Sequence, residues 1–243
     1  MKIIDAFWER RNLGVDTVEF LIERGDSADV INEIINAEKQ YNVIKLPSSE
    51  HLLLGSIQDN GYKLVECLLN QVHDLSSDKI AMANKQRMLP SERSEMNSED
   101  IAELHSEIRK GLFHTDRIFN DQKFTKKIAA ERYVNWISDE YSKGAKLYKF
   151  SYRGKSAGFF IIKILDRNVF NPILAGVYKD FQDKGFGISL AYNNLMQSVE
   201  LGAKRITTYV SSNNVGMVRS NEILGYEINH MQYVLIKHNE VYQ

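Results

Sequence analysis

The sequence predicts an α/β (α+β) protein, a mixed central sheet flanked by helices, organised as a first unit over residues 1–78 and a larger one over 79–243. Three observations carry this. Short β-branched and aromatic runs alternate with segments whose apolar residues recur at helical spacing. An apolar run at 170–177 leads into Gln182-Asp183-Lys184-Gly185-Phe186-Gly187, after which Ile188, Ala191, Leu195 and Val199 share one face of a helix. Finally, the order strand, Ser-Ser, short helix, Gly-Tyr, strand occurs at 43–69 and again at 206–236, so the first unit reads as a partial copy of the second or, alternatively, as sharing a common strand–helix–strand connection by chance.

Taken in order, residues 17–22 read as a strand and 29–41 as a helix with Val30, Ile31, Ile34, Ile35 and Ala37 inward. Residues 43–46 form the next strand, Ser48 and Ser49 open a helix carrying Leu52, Leu53 and Ile57, and Gly61-Tyr62 leads into a strand over 63–69. The polar stretch 71–79 reads as a linker. A strand over 80–89 and a polar turn over 90–97 start the second unit, and Ser98-Glu99-Asp100 opens a helix with Ile101, Leu104 and Ile108 on one face. Residues 111–124 form a loop dense in aromatic and polar types, followed by a helix over 126–141 with Ile128, Trp136 and Ile137. Arg153-Gly154-Lys155 joins strands at 146–152 and 156–165 as a hairpin.

At 243 residues the chain is long enough to bury a sizeable core. Its net charge of −1 lacks the concentrated basic excess of a general nucleic-acid or membrane-surface binder, so neither partner is expected. No apolar run reaches the roughly 18 residues of a membrane span, and charges interrupt the opening where a signal peptide needs apolar continuity. A cytoplasmic monomer or homodimer is expected. Cys67 stands alone and reads as a buried filler. The six histidines show no metal-ligand spacing, so no metal is expected; His51, His73 and His238 read as surface or strand residues.

Chemistry concentrates in the loop after residue 177. The first turn of a helix carries unpaired N–H groups and a partial positive charge, and glycines let backbone donors close around an anion. The loop fits neither GxxxxGK[ST] nor GxGxxG with a downstream acid. It resembles the Q/R-x-x-G-x-G/A loop of the GCN5-related N-acetyltransferases, and the later order of strand, Asn-rich turn, helix and Leu224-Gly225-Tyr226 is similar to the second half of that fold. The resemblance covers residues 80–238 and implies acetyl-CoA or another acyl-CoA as co-substrate. It also implies that Gln182, Asp183, Lys184, Gly185, Phe186 and Gly187 hold the pyrophosphate, and that Asn214 contacts the cofactor arm. Backbone groups of Leu174, Ala175, Gly176 and Val177 would pair with pantetheine and polarise the thioester carbonyl.

Arg117-Ile118-Phe119-Asn120-Asp121 with Phe124, then a helix bearing Tyr133 and Trp136, resembles the branch of that superfamily typified by dTDP-fucosamine acetyltransferase; the opening from Phe7-Trp8-Glu9 is similar too. This resemblance implies a nucleotide-linked amino-dideoxyhexose as partner, direct attack by its amine, and an acetyl or 3-hydroxybutyryl donor, for bacterial surface polysaccharide. Ala175 and Gly176 leave room for the longer acyl group. Phe113, His114, Arg117, Phe119, Asp121 and Trp136 are the substrate-side candidates, with Arg117 suited to a diphosphate or, alternatively, paired to Asp121. Asn221 stands where the branch has the tyrosine that protonates the leaving thiolate. The acid is then Asn221 with water, Tyr226 or Tyr209, although both tyrosines also read as core residues. His114 and Asp116 are the base candidates, beside ordinary readings as a loop histidine and a turn-stabilising aspartate. Another amine (peptide, antibiotic or polyamine) stays open, although no acidic cluster of the kind polyamines favour is visible. So does a non-catalytic acyl-CoA sensor.

Overall fold

The computed structural model describes residues 1–27, 29–75 and 88–239. The first unit supplies β1 (Lys2–Asp5), α1 (Phe7–Leu13), β2 (Thr17–Leu21), α2 (Val30–Ile35), β3 (Tyr41–Pro47), α3 (His51–Asp59) and β4 (Lys63–Asp74). Next come β5 (Glu92–Glu95), α4 (Ser98–Arg109), α5 (Arg117–Asn120), α6 (Lys126–Ser142) and β6 (Lys146–Tyr152). The chain continues through β7 (Lys155–Asp166), β8 (Val169–Val177), α7 (Phe186–Glu200), β9 (Arg205–Ser211), α8 (Val215–Ile223) and β10 (Glu227–His238). Local chemistry sets several starts. Asn97 and Asp100 cap α4 reciprocally, and Thr125 accepts from the Ile128 N–H at the start of α6.

The described strands form one mixed sheet in the order β1-β2-β3-β10-β4-β9-β8-β7-β6-β5. β2–β3 and β8–β9 are parallel and the other neighbours antiparallel. The sequence repeat accounts for the centre. β3–α3–β4 and β9–α8–β10 are matching strand–helix–strand units, and each gives its last strand to the other: β10 pairs with β3, β4 with β9, and β4 and β10 lie together between them. Strands from both sides of residue 78 are therefore interleaved, while the boundary at 78/79 and most of the strand expected over 80–89 lie outside the described residues.

Core packing follows the two-residue period of the strands. On β7, Phe159 and Ile161 face Leu104, Ile108 and Ile137 of α4 and α6, whereas Phe160 and Ile162 face Leu190 and Leu195 of α7. Gly158 is required for β7 to lie against β8, because a Cβ there would stand 2.4 Å from the Gly176 carbonyl oxygen. A further cluster joins Phe20, Ile44 and Leu46 to Ile34 and Ile57.

Some expectations change. Residues 71–74 belong to β4 rather than a linker: Gln71 and His73 are buried, and Asn70, Gln71 and His73 hydrogen-bond Thr207, Asn221 and the Leu224 carbonyl. Polar side chains that find partners across the sheet imitate a linker in sequence. β5 falls inside the stretch expected to be a polar turn, at the edge beside β6 where polar residues stay solvated. The helix expected over 29–41 contracts to α2, where only Ile34 is buried, and Leu52 of α3 points to solvent, 91% exposed. β1 and α1 escaped the pattern.

Candidate functional site

β8 and β9 pair only at Val169–Arg205 and Phe170–Ile206. Beyond these pairs the strands separate, with Thr208 Oγ1 donating to the Pro172 carbonyl at 2.7 Å. A cavity of about 430 Å³ occupies the gap. From the α7–α8 face it is lined by Ala191, Asn194, Asn214, Met217, Asn221 and Tyr226; from the opposite face by Phe113, Asp116, Arg117, Arg132, Tyr133 and Trp136. The cavity thus passes through the sheet, with Ile173, Leu174 and Ala175 of β8 along one side. Ser211 Oγ and Asn213 Nδ2 both donate to the Thr115 carbonyl, fastening the segment before α5 over the gap.

The glycine-rich loop sits at the C-terminal end of β8. Asp183 and Gly185 have φ of +59° and +81°, and α7 begins with no side chain capping its N–H groups. Asp183, Lys184, Gly185 and Gly187 around that end are exposed. Gln182 Nε2 donates to the Val177 carbonyl at 3.1 Å and Lys184 Nζ to the Asp180 carbonyl at 2.6 Å, so both side chains shape the loop. Phe186 is a core residue, edge-on to Tyr152 and Phe181. Gly176 does not widen the cavity: Leu112 and Phe159 already occupy the space its side chain would fill, so of the two small residues on β8 only Ala175 lines it.

The far wall is ionic. Arg117 Nη2 lies 3.0 Å from both Glu9 Oε1 and Glu19 Oε1, Arg132 Nη2 lies 2.6 Å from Glu9 Oε1, and Lys45 Nζ lies 3.0 Å from Glu19 Oε2. Burial alone would raise the Glu19 carboxyl, but Arg117 and Lys45 outweigh it and hold it at about 2. Glu9 is likewise lowered, against its burial, by Arg132 and Arg117. Tyr133, buried next to Asp116, is pushed well above the usual phenol value by burial and by that charge.

This corrects several residue expectations. The Arg117 guanidinium is engaged by Glu9 and Glu19, not by Asp121, and is no free diphosphate ligand. Asp121 instead bonds His238 Nε2 at 2.6 Å and the Lys123 N–H, outside the cavity. Phe119 also lies outside it, with Lys126 Nζ 3.3 Å above its ring, and His114 is exposed against Phe119. Phe113, Asp116 and Trp136 do line the cavity. Asn221 lines it with one amide hydrogen committed to Gln71 Oε1 at 2.8 Å. Tyr226 is buried at its edge, its phenol raised by burial. Asn214 caps α8 by accepting from the Met217 N–H.

Sequence reasoning missed Glu66 and Asn194. Both are buried and line the cavity, and Glu66 Oε2 and Asn194 Oδ1 have no hydrogen-bond partner among the described residues. Asn194 carried a signal, a polar residue on the apolar stripe of α7. Glu66 carried a fainter one, a single acid inside the apolar strand Leu64-Val65-Glu66-Cys67-Leu68. No group of three or more metal-ligating side chains exists among the described residues, nor any helix long and apolar enough to cross a membrane.

No protein-family model and no curated protein matches the chain. Solved structures do. A functionally unknown conserved protein from Staphylococcus epidermidis is 15% identical with a TM-score of 0.61, over 93% of this chain and 85% of that one. A GCN5-related N-acetyltransferase from Kribbella flavida is 13% identical with a TM-score of 0.57, over 93% and 82%. A tandem GNAT protein from the clavulanic acid biosynthesis pathway is 12% identical with a TM-score of 0.56, over 93% and 76%. At such identities the likeness speaks for architecture, and the architecture of this chain, a mixed sheet of ten strands among the described residues, flanked by helices and parted between β8 and β9, is the GCN5-related N-acetyltransferase fold.

Proposed function

We infer that the chain is an acyl-CoA-dependent N-acyltransferase. The observation that carries this reading is the parting of β8 from β9, which opens a cavity through the sheet along β8, the strand that leads through a left-handed loop into the uncapped N-terminus of α7. An extended amide-bearing arm suits the freed edge of β8, since a strand edge offers alternating donors and acceptors. A diphosphate suits the α7 N-terminus, where Gly187 and the following residues present N–H groups. Asn194 Oδ1 supplies an acceptor for an amide N–H beside that arm.

In this reading the acyl donor arrives from the α7–α8 face and the amine from the face of α5 and α6. The amine lone pair attacks the thioester carbon, the C–N bond forms as the C–S bond breaks, and a β8 backbone N–H stabilises the developing oxyanion. The departing thiolate takes its proton from Tyr226 or from water held by Asn221, and the proton shed by the acylated nitrogen restores that donor; both residues line that end of the cavity.

A nucleotide-linked amino-dideoxyhexose, serving surface polysaccharide, is the narrower acceptor. It no longer draws support from Arg117. A second cavity of about 660 Å³ favours it: this cavity shares Arg132 and Trp136 with the first and adds the rings of Phe7 and Trp8, a stacking surface for a base. Calorimetric titration with acetyl-CoA and a thiol-release assay against dTDP-linked amino sugars, peptides and polyamines test the reading. Acetyl-CoA binding with thiol release on addition of an amine is expected. Failure of acetyl-CoA and 3-hydroxybutyryl-CoA to bind overturns it, and binding without turnover of any amine leaves the sensor alternative.

A further inference from the structure

Charges around the inner cavity do not balance. Glu19, Glu66 and Asp116 line it with Lys45, Arg117 and Arg132, and Glu9 stands behind, so four carboxylates meet three cations. Glu9 and Glu19 are fully paired. The surplus resides on Glu66 and Asp116. Asp116 Oδ1 accepts from the Phe119 N–H at 2.7 Å, while its Oδ2 is buried with no partner at hydrogen-bond geometry among the described residues, the Tyr133 phenol standing beside the carboxylate. Glu66 is only 8% exposed, and its Oε2 is unpartnered in the same way. Two buried, unmatched carboxylate oxygens in one cavity are costly unless a cation or a proton completes them.

We propose that the acceptor presents a primary ammonium group to this pair, with Asp116 holding the cation and Glu66 Oε2 taking its proton before attack on the acyl donor. The proposal rests on the acyltransferase reading and specifies its acceptor as an amine that is cationic in water. The proton balance is simple. The ammonium gives one proton to the Glu66 carboxylate, leaving a neutral amine with its lone pair and a neutral Glu66 carboxyl, which returns the proton to solvent after product leaves; the second nitrogen proton, shed as the C–N bond forms, replaces the one that the thiolate takes from Tyr226 or water. Burial raises the Glu66 carboxyl towards the range of a useful base, with the Asp116 charge adding to it and Ser211 and Arg117 opposing. The other titratable groups facing Glu66 are Tyr133 from α6 and Cys67 on its own strand. Glu66 arrives on β4, so the first unit contributes a catalytic residue to a site whose donor side is built by the second.

The test uses the full chain with n-butylamine and putrescine as probes, acetyl-CoA as donor, and the variants E66Q and D116N, each checked by thermal melting. Wild-type acylation is expected to rise with pH on an acid limb that E66Q abolishes, with kcat reduced about 100-fold or more and acetyl-CoA affinity unchanged. D116N is expected to raise the amine KM about tenfold while moving kcat little. Wild-type turnover with both variants inside twofold of it overturns the proposal and leaves the acyltransferase reading standing. A titration of butylammonium followed by amide chemical shifts needs neither donor nor turnover. Saturable binding weakened in D116N supports the ammonium site, and no binding, or equal binding in the variants, overturns it. Failure of acetyl-CoA to bind counts against the acyltransferase reading itself.

Discussion

Arg117 is buried between Glu9 and Glu19, so removing its charge leaves two anions short of a counter-ion rather than freeing a ligand site. Replacing it with methionine is expected to destabilise the fold by about 3–5 kcal/mol, measured by urea denaturation. A raised acceptor KM at unchanged stability would instead indicate a binding role. Glu19 extends the argument to pH. Its carboxyl lies at about 2 when folded, below its ordinary value of 4.5, so its contribution is present above pH 4.5 and is lost as the pH falls towards 2. Melting temperature followed by circular dichroism should therefore fall over that window, and fall less steeply in E19Q, which lacks the titrating group.

At the scale of elements, strand β8, the loop and α7 act together. Gly185 holds φ of +81° with open space where a Cβ would stand, so alanine there suffers backbone strain and no clash. The expected cost is about 1 kcal/mol with a clear loss of acetyl-CoA affinity by calorimetry, because the N–H groups of the first turn swing out of register. Unchanged affinity would remove the loop from the donor site. Much of this was legible in sequence. The Arg153-Gly154 hairpin, with φ of +49° and +73°, the amphipathic α4 and the run from β8 into α7 are all local patterns. What escaped depends on distant neighbours. Gln71 and His73 look like linker residues until β9, β10 and α8 supply their partners, and Arg117 looks available until α1 and β2 bring Glu9 and Glu19 to it. Glu66 needed both the crossing of β4 and the opening beside β9 before its carboxylate lined the cavity.

For the whole molecule, the exchanged strands make the two units one cooperative body. Residues 88–243 expressed alone would leave β9 and β10 without β4, and that fragment is expected to give the broad, poorly dispersed amide spectrum of an unfolded or associating chain. A dispersed, monomeric spectrum would show that the larger segment folds independently. Adding residues 1–75 in trans should restore dispersion if the interleaving is the cause.

The same interleaving has a consequence during synthesis. β4 leaves the ribosome with neither of its final neighbours made, and about 130 residues must follow before β9 emerges, a wait of roughly 7–26 s at ordinary elongation rates. For that interval a twelve-residue strand offers both of its hydrogen-bonding edges to whatever is nearby, including the same strand on the next nascent chain of a polysome. The apolar stretch Leu64-Val65 and Leu68-Leu69, broken by Glu66, is therefore under a second pressure. The acid proposed to take a proton from the acceptor also interrupts an apolar stretch that is open to wrong pairing while the chain is incomplete.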